Sequence, residues 1–220
     1  MARLVSSLSR PAFDLLVQYA EYHRDRRNIA THFVGVPMIV FAIGVLLSRP
    51  SFQMGSLLLS PAWVLFAAAA LWYLTRGALL LGMAVTAAVA LLLLLAHRLP
   101  GGGVGPWLGW GLGFFVVGWV IQFVGHYYEG RKPAFVDDSV GLLVGPMFVT
   151  LELLSPLGLF KPLMAEIERT ARERNISVLV VPSSVTAETF YAGLGFKAVR
   201  DSYHGDERTI IMERSLIDLA

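Results

Sequence analysis

The chain has 220 residues, of which 55% are hydrophobic and 15% are charged, and its formal net charge is +2. It contains no cysteine, which excludes disulfides, thiolate nucleophiles and sulfur-based metal sites, so that any metal must be held by nitrogen and oxygen ligands. The basic residues lie in short loops between apolar segments and form no continuous stripe, which argues against a nucleic-acid partner.

The first predicted element is a short amphipathic helix over Pro11–His23, which we expect to lie at a membrane interface. Its apolar side chains fall on one face: Phe13, Leu16, Val17 and Ala20. The charged run Arg24–Arg27 ends this helix, and Asn28 is the predicted N-cap of the next one.

Apolar segments dominate the chain up to about Lys161. A membrane-spanning helix needs about 20 apolar residues, and we interpret four segments as spans, the second of them short: Ile29–Leu47, Ser60–Leu74, Ala78–Ala96 and Pro106–Gly125. A fifth apolar stretch, Val140–Phe160, contains two prolines and predicts a kinked or re-entrant segment.

The predicted fold class is therefore mainly α. We expect a polytopic membrane helical bundle over residues 1–161 and a small α/β appendage over residues 162–220. Basic clusters lie before the first span and after the fourth, and four spans place both on the cytoplasmic face. We expect an integral protein of a bacterial inner membrane.

Three histidines lie at the ends of the apolar segments, where imidazole is costly to hold without a partner. His32 opens the first span from the cytoplasmic side, His23 precedes it, and the fourth span returns to that side at His126. These three side chains are therefore predicted to converge at one depth, at the cytoplasmic face. His97 ends the third span, so it is predicted to lie at the opposite face.

Helical spacing adds a carboxylate to this group. Gln122, His126 and Glu129 are related by i, i+4 and i+7 and share one stripe of a helix. Histidines with a carboxylate and open positions form the ligand set of non-haem Fe(II) oxygen chemistry. A lone histidine at a membrane boundary is more often a hydrogen-bonded interfacial residue, and the spacing alone leaves both interpretations open.

Three stretches of the sequence resemble one membrane family. Residues 22–37 read YHRDRRNIATHFVGVP, residues 118–134 read GWVIQFVGHYYEGRKPA, and residues 142–160 read LLVGPMFVTLELLSPLGLF. Together they resemble the yeast-type 2-hydroxy fatty acid dioxygenases, which act in degrading the phytosphingosine chain. The resemblance covers roughly residues 11–168.

This resemblance implies an Fe(II)-dependent dioxygenase in a lipid bilayer, which uses dioxygen to convert a 2-hydroxy fatty acid to the fatty acid one carbon shorter. It implies that the metal ligands are His23, His32 and His126. Glu129 matches a family glutamate and is the fourth implied catalytic residue, although one residue fewer separates it from the histidine. Asn28 and Gln122 are predicted to support the site, and the oligomeric state is left open.

The segment from Pro162 to the C-terminus, which we call the tail, is less apolar than the rest of the chain. From Pro162 it reads as helix, strand, helix and two strands around His204–Asp206. Residues 186–216 resemble the last third of GNAT acetyltransferases, with Tyr191 at the position that protonates the coenzyme A thiolate in many members. Most of that domain is missing, so we expect a remnant that packs as a small appendage.

Two alternative functions remain beside the dioxygenase. One is a GNAT-type acetyltransferase anchored to the membrane. The other is a non-enzymatic membrane scaffold in which the histidines only anchor helix ends.

Overall fold

The structure is a computed structural model that describes residues 9–20, 22–23, 25–55, 57–99, 103–130, 132–133, 139–154, 167–169, 171–184, 188–204 and 207–217. The elements in chain order are α1 (Ala12–Ala20), α2 (Arg26–Leu46), β1 (Phe52–Met54), β2 (Leu57–Leu59), α3 (Pro61–Leu74), α4 (Leu79–His97), α5 (Val104–Glu129), α6 (Gly141–Leu154), β3 (Val178–Ser184), α7 (Glu188–Gly193), β4 (Lys197–His204) and β5 (Glu207–Ser215). The protein is mainly helical, as predicted.

The chain forms two compact units, residues 1–151 and residues 152–220. The predicted boundary at residues 161/162 lies outside the described part of the chain, so the domain limits of the sequence analysis stay a prediction. The charge and apolar composition change in the same region of the sequence.

Helix α1 is amphipathic, and its predicted apolar face is confirmed at Leu16 but wrong at Ala20, while the side chains of Phe13 and Val17 lie outside the described part of the chain. Its buried side chains are Ala12, Leu15, Leu16 and Tyr19, whereas Ala20 is exposed. These positions follow the i, i+3, i+4, i+7 spacing of a helix face. Tyr19 decides the orientation, because its ring packs against Phe148 at a centroid distance of 5.3 Å.

Helix α2 begins three residues earlier than the predicted N-cap requires. Asp25 has extended backbone geometry, and its carboxylate accepts a hydrogen bond from the Arg27 backbone N–H at 2.7 Å. An acid is favoured at this position because it satisfies an unpaired N–H and complements the helix dipole. Asn28 is therefore not the N-cap, and it lies fully buried within the first turn.

Three helices of the described chain are long and apolar enough to cross a membrane: α2, α4 and α5, with 21, 19 and 26 residues. Helices α3 and α6 are apolar but have only 14 residues each. The predicted count of four spans is therefore not confirmed. The second predicted segment is short because a β1–β2 hairpin, which the sequence analysis did not predict, precedes α3. Helix α6 carries Pro146 in its interior.

Helices α2 and α5 pack closely and antiparallel through glycines spaced by seven residues on α5. A Cβ atom at Gly111 would collide with Leu46, one at Gly118 would lie 2.8 Å from Ile39 Cγ1, and one at Gly125 would collide with Thr31. Small residues let helix backbones approach in this way. The pairing brings the start of α2 beside the end of α5.

Hydrogen bonds identify the end of the bundle where α2 begins, which we call the histidine end. The Ala12 N–H donates to the Arg76 carbonyl at 2.9 Å, and the Tyr73 hydroxyl donates to the Leu143 carbonyl at 3.0 Å. Gly141 of α6 lines one cavity with His32 and His126, so the start of α1, the end of α3 and the start of α6 lie at this end.

The opposite end of the bundle, the distal end, is tied by a second set of contacts. The Ala62 N–H donates to the Leu47 carbonyl at 3.0 Å, and the Trp107 indole donates to the Val45 carbonyl at 2.7 Å. Ser60 Oγ lies 2.9 Å from His97 Nε2. Helices α2 to α5 thus alternate in direction along the bundle.

The C-terminal unit is a small antiparallel sheet with strand order β3-β5-β4. Its core consists of Phe196, Ile210 and Met212, and Tyr191 of α7 packs against it. The predicted order of strand, helix and two strands is confirmed for the described residues.

Candidate metal centre

The centre is built from three histidines on different elements. His23 lies in the link between α1 and α2, His32 lies in the second turn of α2, and His126 lies in the last turn of α5. Their side chains are 3%, 2% and 6% exposed. One ring nitrogen from each lies within 4.8 Å of those of the other two, so the structure brings these residues together.

Two of the rings are oriented by backbone carbonyl groups. His23 Nδ1 lies 2.6 Å from the Tyr19 carbonyl oxygen, and His32 Nδ1 lies 2.8 Å from the Asn28 carbonyl oxygen. A carbonyl only accepts, so each Nδ1 carries the proton and donates it. Each Nε2 is left with a lone pair, which is the form in which histidine binds metals.

These two lone pairs face one another. His23 Nε2 and His32 Nε2 are 2.9 Å apart, and two acceptors at this distance repel unless a positive charge lies between them. Two nitrogens bound to one ion at about 2.1 Å, and separated by a right angle, would be about 3 Å apart. The geometry therefore fits a shared cation.

A proton is a poor alternative to a metal ion here. Burial, together with the electrostatic effect of the neighbouring His32, lowers the pKa of His23 to about 2. The ring of Tyr19 stacks on His23 at a centroid distance of 4.0 Å and helps to exclude water from it. Neutral imidazoles in a dry site are suited to binding a divalent metal.

His126 completes the group from the opposite helix. Its ring centroid lies 5.0 Å from that of His23 and 5.3 Å from that of His32, in edge-on orientations. Gly125 precedes it at the tightest part of the α2/α5 contact. The absence of a side chain at Gly125 is thus what lets α5 bring His126 close to His32.

Glu129 is placed differently from the histidines. Its Oε2 accepts hydrogen bonds from the Asp25 backbone N–H at 2.9 Å and from Asn28 Nδ2 at 3.0 Å. It is not a member of the described three-histidine group. Glu129 and Asn28 therefore join the end of α5 to the start of α2, beside the centre.

A cavity of about 250 Å³ opens beside the histidines. Three helices contribute most of its walls: His32, Val36, Ile39 and Ile43 on α2, Phe115, Trp119, Gln122 and His126 on α5, and Gly141, Leu142, Gly145 and Pro146 on α6. The stripe from His32 to Ile43 is about 16 Å long at 1.5 Å per residue. The cavity is thus a largely apolar slot with imidazoles at one end.

Sequence reasoning missed two contributors to the site. Tyr19 supplies both a carbonyl and a ring to His23, and its position four residues before that histidine on a helix was the available signal. Trp119 lines the cavity, although interfacial anchoring is the more usual role of tryptophan in a membrane protein. His97 lies at the distal end, with its ring stacked on Trp63.

Comparison with known proteins shows which family the chain matches. A family profile described as "2-hydroxy-palmitic acid dioxygenase Mpo1-like" matches residues 10–157. The 2-hydroxy-palmitic acid dioxygenase MPO1 of Saccharomyces cerevisiae is 34% identical over 163 residues, which cover 72% of this chain and 89% of the relative. No solved structure matches the chain, and none of these comparisons supports the resemblance of the tail to acetyltransferases.

Proposed function

This chain belongs to the Mpo1-like family of 2-hydroxy-palmitic acid dioxygenases, and on that premise we propose that it is an Fe(II)-dependent membrane dioxygenase that shortens 2-hydroxy fatty acids by one carbon. In the overall reaction the bond between C1 and C2 breaks. One 2-hydroxy acid and one dioxygen give the shorter acid, carbon dioxide and water.

The observation that supports a metal-dependent reaction is the pair of facing Nε2 lone pairs, with His126 beside them. Three nitrogen ligands leave positions open for substrate and dioxygen, as do the two histidines and one carboxylate of many non-haem Fe(II) oxygenases. When bound, Fe(II) would supply the redox chemistry for dioxygen and a Lewis acid for the substrate's carboxylate and hydroxyl. The protein's own contribution is to hold three neutral imidazoles and to exclude water.

The apolar cavity supports a fatty acyl substrate. It runs from His32 to Ile43 between α2 and α5, two helices that are apolar enough to lie in a bilayer. An acid whose carboxylate and 2-hydroxyl lie at the histidines would place its chain along this slot. A substrate drawn from a membrane could reach the centre without leaving an apolar environment.

We further propose that the chain crosses the bilayer four times, with the histidine end facing the cytoplasm. The alternating direction of α2 to α5 supports this arrangement, with α3 as a short crossing of about 21 Å next to locally thinned lipid. Among the described basic residues, Arg10, Arg26, Arg27, Arg76 and Lys132 belong to the histidine end, and Arg49 and Arg98 to the distal end. Positive charge favours the cytoplasmic side.

The test of the proposed function is a chain-shortening assay with matched histidine variants. The purified protein is supplied with Fe(II), dioxygen and 2-hydroxypalmitate, and the product acid is measured by mass spectrometry together with bound iron. His23→Ala, His32→Ala and His126→Ala should each abolish both product and stoichiometric iron. His97→Ala should retain substantial activity, because its ring is at the distal end. Wild-type protein that neither binds iron nor shortens the acid would refute the proposal.

A further inference from the structure

Gln122 is a buried amide on the wall of the cavity, one helical turn before His126. Its side chain is 4% exposed, and its carbonyl oxygen Oε1 has no hydrogen-bond partner among the described residues. A buried acceptor that is left without a donor destabilises the folded protein. Such groups are rare in folded proteins, and one beside a cavity points to a ligand that supplies the missing donor.

The position of this amide is held by the opposite helix. A Cβ atom at Gly35 of α2 would lie 3.1 Å from both Gln122 Cγ and Gln122 Nε2. The bare backbone at Gly35 thus makes room for the amide, and the close α2/α5 contact limits its movement. Gln122 is therefore fixed beside the centre before any ligand enters.

The chemistry of the substrate decides which of its groups can pair with Oε1. A carboxylate only accepts hydrogen bonds, so it repels a carbonyl oxygen, whereas a hydroxyl donates. We propose that Gln122 Oε1 accepts a hydrogen bond from the 2-hydroxyl of the substrate and thereby selects 2-hydroxy acids over plain fatty acids. This inference rests on the proposed function, because it takes a 2-hydroxy fatty acid as the occupant of the cavity.

A plain fatty acid lacks the donor and leaves Oε1 unpaired in the complex. Sites that are built to pair with a hydroxyl discriminate strongly against analogues that lack it, because their own polar group then stays unsatisfied. Gln122 is accordingly a specificity-determining residue. The histidines bind the metal, and Gln122 binds the hydroxyl on the carbon next to the carboxylate.

The experiment measures equilibrium binding of 2-hydroxypalmitate and of palmitate. The full chain is placed in lipid nanodiscs under nitrogen with Fe(II), and binding to empty discs is subtracted. Gln122→Met keeps the length and volume of the side chain but removes the carbonyl. It should weaken 2-hydroxypalmitate binding about ten-fold, the factor that one net hydrogen bond carries, and leave palmitate binding unchanged.

Two further variants control for packing. Gln122→Leu should reproduce the effect with a different shape. Thr86→Val removes another buried hydroxyl that has no hydrogen-bond partner among the described residues, on α4 and outside the cavity lining, so it should change neither affinity. An equal loss for both acids, or an unchanged preference for 2-hydroxypalmitate, would overturn the role of Gln122.

The binding ratio separates this inference from the proposed function. If wild-type protein prefers 2-hydroxypalmitate and Gln122→Met loses the preference, the role of Gln122 holds whether or not product forms with dioxygen. If product forms but the ratio does not depend on Gln122, the dioxygenase stands and the specificity role fails.

Discussion

Single residues around the centre show how backbone groups orient two histidines of a group that could bind a metal ion. His23 and His32 each donate Nδ1–H to the carbonyl four residues earlier, Tyr19 and Asn28 respectively. Such a contact fixes both the tautomer and the ring orientation of a metal-binding histidine. Because a carbonyl performs this task, no further acidic residue is needed to orient these two rings.

We propose that Glu129 positions the centre through its two hydrogen bonds from the Asp25 N–H and Asn28 Nδ2, and two substitutions test this role. Glu129→Gln keeps an acceptor for the Asp25 N–H and Asn28 Nδ2, so it should retain most of the bound iron. Glu129→Ala removes the acceptor of the Asp25 N–H and leaves Asn28 Nδ2 only the Tyr22 carbonyl, and loss of such an outer contact typically lowers metal affinity about 10–100-fold. Iron content and iron affinity of the two variants are compared with those of His126→Ala. A Glu129→Gln protein as free of iron as His126→Ala would show that Glu129 is itself a ligand.

At the scale of elements, the contact between α2 and α5 is what brings the residues of the site together. Gly111, Gly118 and Gly125 face α2 at intervals of seven residues, so the two backbones approach along most of their length. His32 and His126 are 94 positions apart in the sequence, and this packing brings them together. The same contact forms the α2 and α5 walls of the cavity, and α6 also lines it.

Gly125→Ala tests this packing directly. A Cβ atom at Gly125 would collide with Thr31 and lie 3.2 Å from the Cα of Asn28, and such overpacking costs about 1–3 kcal/mol. We expect lower thermal stability and loss of iron. Gly113→Ala is the matched control, since nothing lies within 4 Å of a Cβ there, and it should be neutral or slightly stabilising. Equal behaviour of the two variants would contradict the packing described here.

The far end of the cavity should set the preferred chain length. Ile43 lines the cavity about 16 Å along α2 from His32. Ile43→Phe should shorten the slot and shift preference toward shorter 2-hydroxy acids, measured by competition among acids of different length. Val34→Phe adds the same ring on the exposed side of α2 and should leave the preference unchanged. If Ile43→Phe leaves the preference unchanged, the chain lies elsewhere.

At the scale of the whole molecule, the absence of cysteine makes the membrane topology accessible to labelling. Thr75 and Lys132 are exposed at the histidine end, and Arg98 is exposed at the distal end. With four crossings, single cysteines at Thr75 and Lys132 should react with an impermeant thiol reagent from one side of the membrane. A cysteine at Arg98 should react only from the other side. Ser51 lies between α2 and α3 and is exposed, and labelling of Ser51→Cys and Thr75→Cys from the same side would show that α3 does not cross.

Hydrophobic patterning and helical spacing are local properties, and they were enough to predict several features. They located the long apolar helices, the small C-terminal sheet, and the placement of His23, His32 and His126 at one end of a bundle with His97 at the other. The predictions that failed depended on distant partners. Tyr19 selected the buried face of α1 through Phe148, and the amide of Asn28, the predicted N-cap, bonds instead to Glu129 of α5.

The sequence by itself thus determined which residue types lie at the ends of the apolar helices. Burying imidazole or a charged group in an apolar segment is costly, and this cost depends on the neighbouring residues in the chain. Only the tertiary structure decided what each polar group binds. Glu129 lies one turn from His126, yet its carboxylate bonds to Asp25 and Asn28, which are more than 100 positions away. Helical spacing placed this side chain on the correct stripe but could not choose its partner, because hydrogen bonding depends on distance in space.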